Sequence, residues 1–132
     1  MSKPRSAFSL SDRVKSFRYA LQGLLYALVT QHNFRIHVVA TAAVIGLGFL
    51  WGISAQDWRW LVVAIAIVLT AELVNTAFEH LCDVVQPELH TSVKAAKDVA
   101  AGAVLVASLA AAVIGLMVFW PYVAVQIWPA PP

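Results

Sequence analysis

Leu61-Val62-Val63-Ala64-Ile65-Ala66-Ile67-Val68-Leu69-Thr70-Ala71-Glu72-Leu73-Val74-Asn75-Thr76-Ala77-Phe78-Glu79 is the stretch that decides the fold. Its first half is an unbroken apolar run that reads as a membrane-spanning helix. Its second half carries two carboxylates. At roughly 100° per residue, Asn75, Thr76, Glu79 and the following Asp83 each fall within about 60° of Glu72. Leu73, Val74, Ala77, Phe78 and Leu81 cover the rest of the cylinder. An ionised group at membrane depth costs roughly 2.5–3.5 kcal/mol on insertion scales, so a polar stripe on such a helix has a function as its default explanation.

Working outward, composition agrees with a membrane protein. The chain has 132 residues, 61% hydrophobic and 12% charged, against about a quarter charged in soluble domains. Mean hydropathy is +0.76. One domain is expected at this length. The single Cys82 allows no intramolecular disulfide, and it points away from the stripe, as an inert residue. The first 33 residues lack a compact apolar run with a small-residue cleavage site, so the chain is expected to be retained whole rather than trimmed as a secretory precursor.

The expected architecture is all-α: an amphipathic surface helix followed by three transmembrane helices. Residues 1–10 read as a flexible basic lead. Over 11–30, Val14, Phe17, Leu21, Leu24 and Leu28 recur at helical spacing while Arg13, Lys15, Arg18 and Gln22 occupy the other side, a pattern suited to the membrane interface. Spans are expected over 36–53, 58–85 and 94–122, the last apolar from Val99 to Tyr122. The first is about 27 Å of helix, enough for a hydrocarbon core of roughly 30 Å. Ile53-Ser54-Ala55-Gln56-Asp57 and Gln86-Pro87-Glu88-Leu89-His90-Thr91-Ser92 read as connections. Residues 123–132 form a tail whose end, Trp128-Pro129-Ala130-Pro131-Pro132, cannot be helical. Residues 11–122 thus form the expected single domain.

Charge sets the expected orientation. Of nine Lys and Arg, all but Arg59 lie on one side of the spans, which places the N-terminus and the 86–97 loop in the cytoplasm. Trp51, Trp58, Trp60, Trp120 and Trp128 all fall at the opposite end, as an interfacial belt would. Glu72 then lies about 18 Å below the outer interface and Glu79 about 28 Å below it. The stripe begins in the inner half of the bilayer and emerges at Asp83. That suits a site where a lipid-dissolved group meets a water-dissolved one.

Lys94-Ala95-Ala96-Lys97-Asp98 opens the third span at the same level. Lysines at a helix start add to the positive helix dipole and favour phosphate oxygens, although both also serve the positive-inside rule and Asp98 can simply pair with one of them. Ala101, Leu105, Ser108 and Ala112 share a small-residue face suited to packing against the striped helix. Carboxylates and lysines at a cytosolic rim fit phosphoryl transfer, with one carboxylate on Mg²⁺, another as proton acceptor and a lysine neutralising charge. Proton or ion handling, and plain polar contact between helices, remain open from the residues alone. The cations lie at the membrane surface and give no support to nucleic-acid binding. His32, His37 and His80 form no metal pattern; His80 reads as structural, and Gly48 with Gly52 as a packing pair.

Ala71-Glu72-Leu73-Val74-Asn75-Thr76-Ala77-Phe78-Glu79 and Ala96-Lys97-Asp98-Val99-Ala100-Ala101-Gly102-Ala103-Val104-Leu105 resemble the two signature motifs of the prokaryotic diacylglycerol kinase family, which includes undecaprenol kinases. Asn33-Phe34-Arg35-Ile36-His37 resembles its segment before the first span, and the likeness extends over roughly residues 13–122. The resemblance implies an ATP- and Mg²⁺-dependent lipid kinase of the bacterial cytoplasmic membrane, acting on undecaprenol or diacylglycerol, as a homotrimer with sites shared between protomers. It implies Glu72 as general base, Asn75 as the residue orienting reactants, and Glu79 as Mg²⁺ ligand. Lys97 and Asp98 would contact the phosphates, Glu88 and His90 the nucleoside, and Tyr19 the nucleotide from the surface helix. Two departures stand out. Where many members carry a second metal-binding glutamate, this chain has Gln31, whose carboxamide can ligate but brings no charge. The family's N-terminal arginine has its nearest counterpart in Arg13, one residue out of register.

Overall fold

The computed structural model describes residues 9–128, and over these the chain is helical with short connections. Helix α1 spans Leu10–Thr30, α2 His32–Trp51, α3 Ala55–Val85 and α4 Thr91–Ile127. Helices α2, α3 and α4 are each long and apolar enough to cross a membrane. The basic lead and the terminal Pro129–Pro132 tail fall on residues 1–8 and 129–132, outside the described residues. Within the lead, Ser9 caps α1, its hydroxyl accepting from the Asp12 amide at 3.4 Å.

Local chemistry explains where the helix ends depart from expectation. Helix α2 begins at His32, not Ile36, because a single extended residue, Gln31, separates it from α1. The Gln31 amide still donates to Ala27 at 2.8 Å, so the chain turns a corner without leaving its backbone groups unpaired. Asn33-Phe34-Arg35 is therefore helical, and Phe34 is buried. Helix α3 begins at Ala55 rather than Trp58. Ser54 accepts from the Asp57 amide at 3.1 Å and donates to its carboxylate at 2.7 Å, so polar residues that read as a connection are the capped first turn. Helix α4 begins at Thr91, capped by His90. It runs through Pro121 to Ile127, past the expected end at Tyr122. A proline forfeits one backbone bond, a loss that neighbouring helices can absorb in a bundle.

Gly48 and Gly52 turn out to do different things. A Cβ on Gly48 would come within 2.8 Å of the Trp58 ring and 3.1 Å of Ile53, so this position is a packing glycine. Gly52 does not pack; it terminates α2 in the left-handed region at φ 59°. There its amide donates to Phe49 and the Ile53 amide to Gly48, both at 3.2 Å, closing the last carbonyls of the helix as only glycine does at low cost.

Helix α3 packs most extensively on α4, less on α2, and α1 touches α2 and α3 lightly. Ile53, Leu61 and Val118 are buried together at the tryptophan end, with Trp51, Trp58 and Phe119 against them. The Tyr122 hydroxyl donates to Asp57 at 2.7 Å and accepts from the Ser54 amide at 3.0 Å, tying α4 to the α2–α3 corner. The α4 face against its neighbours is only in part the one expected. Val104, Ala107 and Val118 are buried and Ser108 turns its hydroxyl inward, whereas Ala101, Leu105 and Ala112 are exposed. At the other end, the Tyr26 hydroxyl meets His80 Nε2 at 3.2 Å with the rings 5.4 Å apart. That contact holds α1 against α3 and makes His80 structural, as read. Large apolar side chains such as Val62, Ile67, Leu109 and Leu116 point outward, an arrangement stable against lipid or further helices and not against water.

Candidate active site

Helix α3 grades from interior to solvent along its stripe. Glu72 is 3% exposed, Asn75 and Thr76 6% each; Glu79 is half-buried and Asp83 exposed. The gradient follows from helical periodicity, since these side chains share the face that α2 and α4 cover, and only the last turns extend beyond it. Asn75 Nδ2 donates to Glu79 Oε1 at 3.1 Å across one turn. This turns Asn75 Oδ1 inward, where it is buried with no partner. Glu72 accepts no hydrogen bond from any described side chain.

Helix α4 contributes the cationic edge. Lys97 Nζ reaches across to Asp83 at 2.8 Å, which fastens the opening of α4 to the emerging end of the stripe. Asp98 does not pair with Lys97 but with Lys94, at 2.7 Å on the exposed side of the helix. Glu72, Asn75, Glu79 and Asp83 therefore line up as a ladder along α3, with contacts at Asn75–Glu79 and, to α4, at Asp83–Lys97. The remaining expected residues stand apart from it among the described residues. Tyr19 is 65% exposed on α1. Gln31 sits at the α1–α2 corner, its amide donating to Thr30 at 3.3 Å. Glu88 is exposed in the connection before α4, and His90 Nδ1 is engaged as the α4 cap, accepting from the Ser92 amide at 3.3 Å.

Two cavities lie beside α3. One of about 360 Å³ opens between α2, α3 and α4; its polar lining residues are His37, Thr41 and Ser108. Another of about 450 Å³ lies between α1 and α3 beside Thr76 and His80. His37 and Ser108 were not singled out as site residues in sequence. The available signal was faint: His37 and Thr41 lie one turn apart on α2, and nothing in the spacing says that Ser108 faces them.

A family model described as prokaryotic diacylglycerol kinase matches residues 18–119. The chain belongs to that family. It is 40% identical over 107 residues to the undecaprenol kinase of Bacillus subtilis, covering 81% of this chain and 87% of that protein. It is 45% identical over 101 residues to a diacylglycerol kinase of Synechocystis, covering 76% of this chain and 58% of that longer protein. Likeness to the Escherichia coli K12 diacylglycerol kinase is 26% over 109 residues. The chain is thus a lipid kinase of the membrane, and the kinase family implies ATP as phosphoryl donor. Both motifs of the ladder, on α3 and at the start of α4, lie inside the matched region of this kinase.

Proposed function

We propose that this kinase phosphorylates undecaprenol at the cytosolic face of the bacterial inner membrane, with its N-terminus and the 86–97 loop in the cytoplasm. The observation that carries the reading is the ladder itself: a buried carboxylate at Glu72, the Asn75–Glu79 pair beyond it, and the Asp83–Lys97 pair at the cationic rim, all in line along α3. Glu72 takes the proton of the lipid hydroxyl. The freed oxygen bonds to the γ-phosphorus as the bond to the β-phosphate oxygen breaks, and ADP leaves. Asn75 orients the reactants through its unpartnered Oδ1. Lys97 exchanges its exposed partner Asp83 for phosphate oxygens, an easy exchange because water screens such surface pairs. Asp98 positions Lys94 at the same rim. Glu88, His90 and Tyr19 approach the nucleoside from the connection and from α1, which lies in the interface with its cations toward head groups.

The donor set suits Mg²⁺ brought in with nucleotide. A half-buried carboxylate at Glu79 and an inward, unsatisfied carbonyl oxygen on Asn75 are hard oxygen donors. Magnesium commonly takes one or two carboxylates plus substrate phosphates rather than a full protein cage. Glu79 would hold it, with the Gln31 carbonyl oxygen as the second, uncharged candidate. When bound, the ion neutralises charge shared by the β- and γ-phosphates. One protomer offers too little surface to enclose both ATP and a lipid, which supports a homotrimer with sites shared between neighbours.

The acceptor follows the likeness to the Bacillus undecaprenol kinase, which extends over most of both chains. The test is phosphoryl transfer by purified protein with ATP and Mg²⁺, offered undecaprenol or diacylglycerol, in wild type, Glu72→Gln and Glu79→Gln. Undecaprenol should turn over at least ~10-fold faster, a discrimination of about 1.4 kcal/mol, and both variants should be severely impaired. Preference for diacylglycerol would overturn the acceptor; an active Glu72→Gln enzyme would overturn the site.

A further inference from the structure

Between α2, α3 and α4 the bundle leaves a cavity of about 360 Å³. Small residues make the room: Ala40 of α2, Ala64 of α3, and Ala111, Ala112 and Gly115 of α4 line it. Apart from His37, Thr41 and Ser108, the lining is apolar. Close-packed interiors hold few voids larger than a water molecule, and an apolar void takes up apolar molecules rather than water. Ala40 and Ala112 are exposed, so the cavity opens sideways toward the lipid. Its far end is closed by Leu61 and Phe119, which pack with Ile53 and Val118 at the tryptophan end. Along α3 it runs from Leu61 to Val68, about 10 Å of helix.

Ser108 marks the polar end of this cavity. It lines the space, and its hydroxyl is buried with no hydrogen-bond partner, not even a carbonyl of its own helix. A buried hydroxyl left unpaired is costly, so it calls for a polar atom that arrives with a ligand. Helices α3 and α4 are pinned antiparallel at both ends, by Lys97 on Asp83 and by Tyr122 on Asp57. Glu72 lies as many residues from Asp83 as Ser108 lies from Lys97, which sets the two at one level of the bundle. Val68, which lines the cavity, and Glu72 are both buried one turn apart on α3. A phospholipid tail would bring no polar atom to Ser108, and a neighbouring helix, about 10 Å across, is too bulky for the space. An apolar chain headed by an alcohol satisfies both ends of it.

We propose that this cavity is the subsite for the first isoprene units of the acceptor, with the Ser108 hydroxyl donating to the acceptor's oxygen as that oxygen's proton passes to Glu72. The proposal rests on the reading of Glu72 as the base and of a polyprenol as the acceptor. It makes Ser108 the residue that holds the head of the chain. Gly115 and the alanines around it set the width available to the methyl-branched units that follow.

The test measures kcat and KM for wild type, Gly115→Leu, Ser108→Ala and Ser108→Thr in mixed micelles with ATP, Mg²⁺ and undecaprenol. Thermal unfolding and cross-linking are followed on the same preparations. A Cβ on Gly115 meets no atom within 4 Å, so leucine grows into open space and the fold is kept. Gly115→Leu should raise the KM for undecaprenol about tenfold or more, as added methylenes in an apolar pocket do. The KM for ATP, the melting temperature and the cross-linking pattern should not fall away from wild type. Ser108→Ala should raise the KM for undecaprenol about threefold or more, the worth of one hydrogen bond, and Ser108→Thr should retain the wild-type value. An unchanged lipid KM in Gly115→Leu overturns the subsite and marks the cavity as filled by bulk lipid. A changed cross-linking pattern in that variant overturns it as well, as the mark of a contact between copies. Wild-type kinetics in Ser108→Ala overturn the role of Ser108. An active Glu72→Gln enzyme, or a wild type that phosphorylates diacylglycerol and not undecaprenol, overturns the underlying reading, a result distinct from any of these.

Discussion

On the proposed reading, Glu72 concentrates the chemistry of this kinase in one side chain, and substitution there separates function from folding. Glu72→Gln keeps the shape and removes the base, so kcat should fall by about 10²–10⁴-fold, the usual worth of general acid–base catalysis. Thermal stability should be unchanged or higher, because a neutral amide costs less to bury than a carboxylate. Activity assays paired with thermal denaturation of the same preparations check both halves. Gln31 poses the complementary question. Gln31→Glu restores charge to the corner between α1 and α2 and should lower the Mg²⁺ concentration for half-maximal activity by about threefold or more, since ligand charge tunes affinity for hard cations. An unaltered Mg²⁺ titration would remove Gln31 from the metal site. The stripe itself was readable from spacing, because helical periodicity alone aligns Glu72, Asn75, Glu79 and Asp83. The pairing of Lys97 with Asp83 and of Asp98 with Lys94 was not, because it depends on how α4 is rotated against α3.

At the scale of elements, the glycines at the end of α2 give the sharpest contrast. Gly48→Ala drives a methyl group into the Trp58 ring, which is itself stacked against Phe49 with centroids 5.0 Å apart. The ring has little room to yield, so the substitution should destabilise by about 1–3 kcal/mol, as overpacking does. Gly52→Ala meets no neighbouring atom, yet it places a Cβ on a residue at φ 59°. Its cost is conformational, about 1–2 kcal/mol. Thermal unfolding in detergent should show both losses. Replacement of Trp58 by Leu should relieve the first and leave the second untouched. Sequence marked both glycines as one packing pair; only the backbone dihedral separates a cap from a contact. The late start expected for α3 has a similar origin. Ala55-Gln56-Asp57 is polar and looked like a connection, but the Ser54 cap makes it helix.

For the whole molecule, orientation and assembly are the testable quantities. With Cys82 replaced by Ser, a cysteine at the fully exposed Leu89 should react with a membrane-impermeant thiol reagent only after intact cells are opened. A cysteine at Gln56, exposed at the opposite end, should react from outside. Labelling of the reverse pattern would invert the topology and place the rim away from ATP. Cross-linking of the 14.3 kDa chain in detergent should give a ladder ending at the trimer. The outward apolar faces of α3 and α4 are the surfaces such neighbours would cover.

Apolar content and length by themselves determined that three helices of this chain suit a membrane, because a backbone in lipid must satisfy its own hydrogen bonds and a helix does so locally. The same local periodicity determined that one helix carries its acids in line. The tertiary structure decided what those acids meet: Lys97 from α4 against Asp83, and the Asn75 amide against Glu79. It also decided that Val104 and Ala107, rather than Ala101 and Leu105, face the interior. Rotation and register between helices arise from side-chain packing across their contact, a sum over many small non-local terms that no single segment contains.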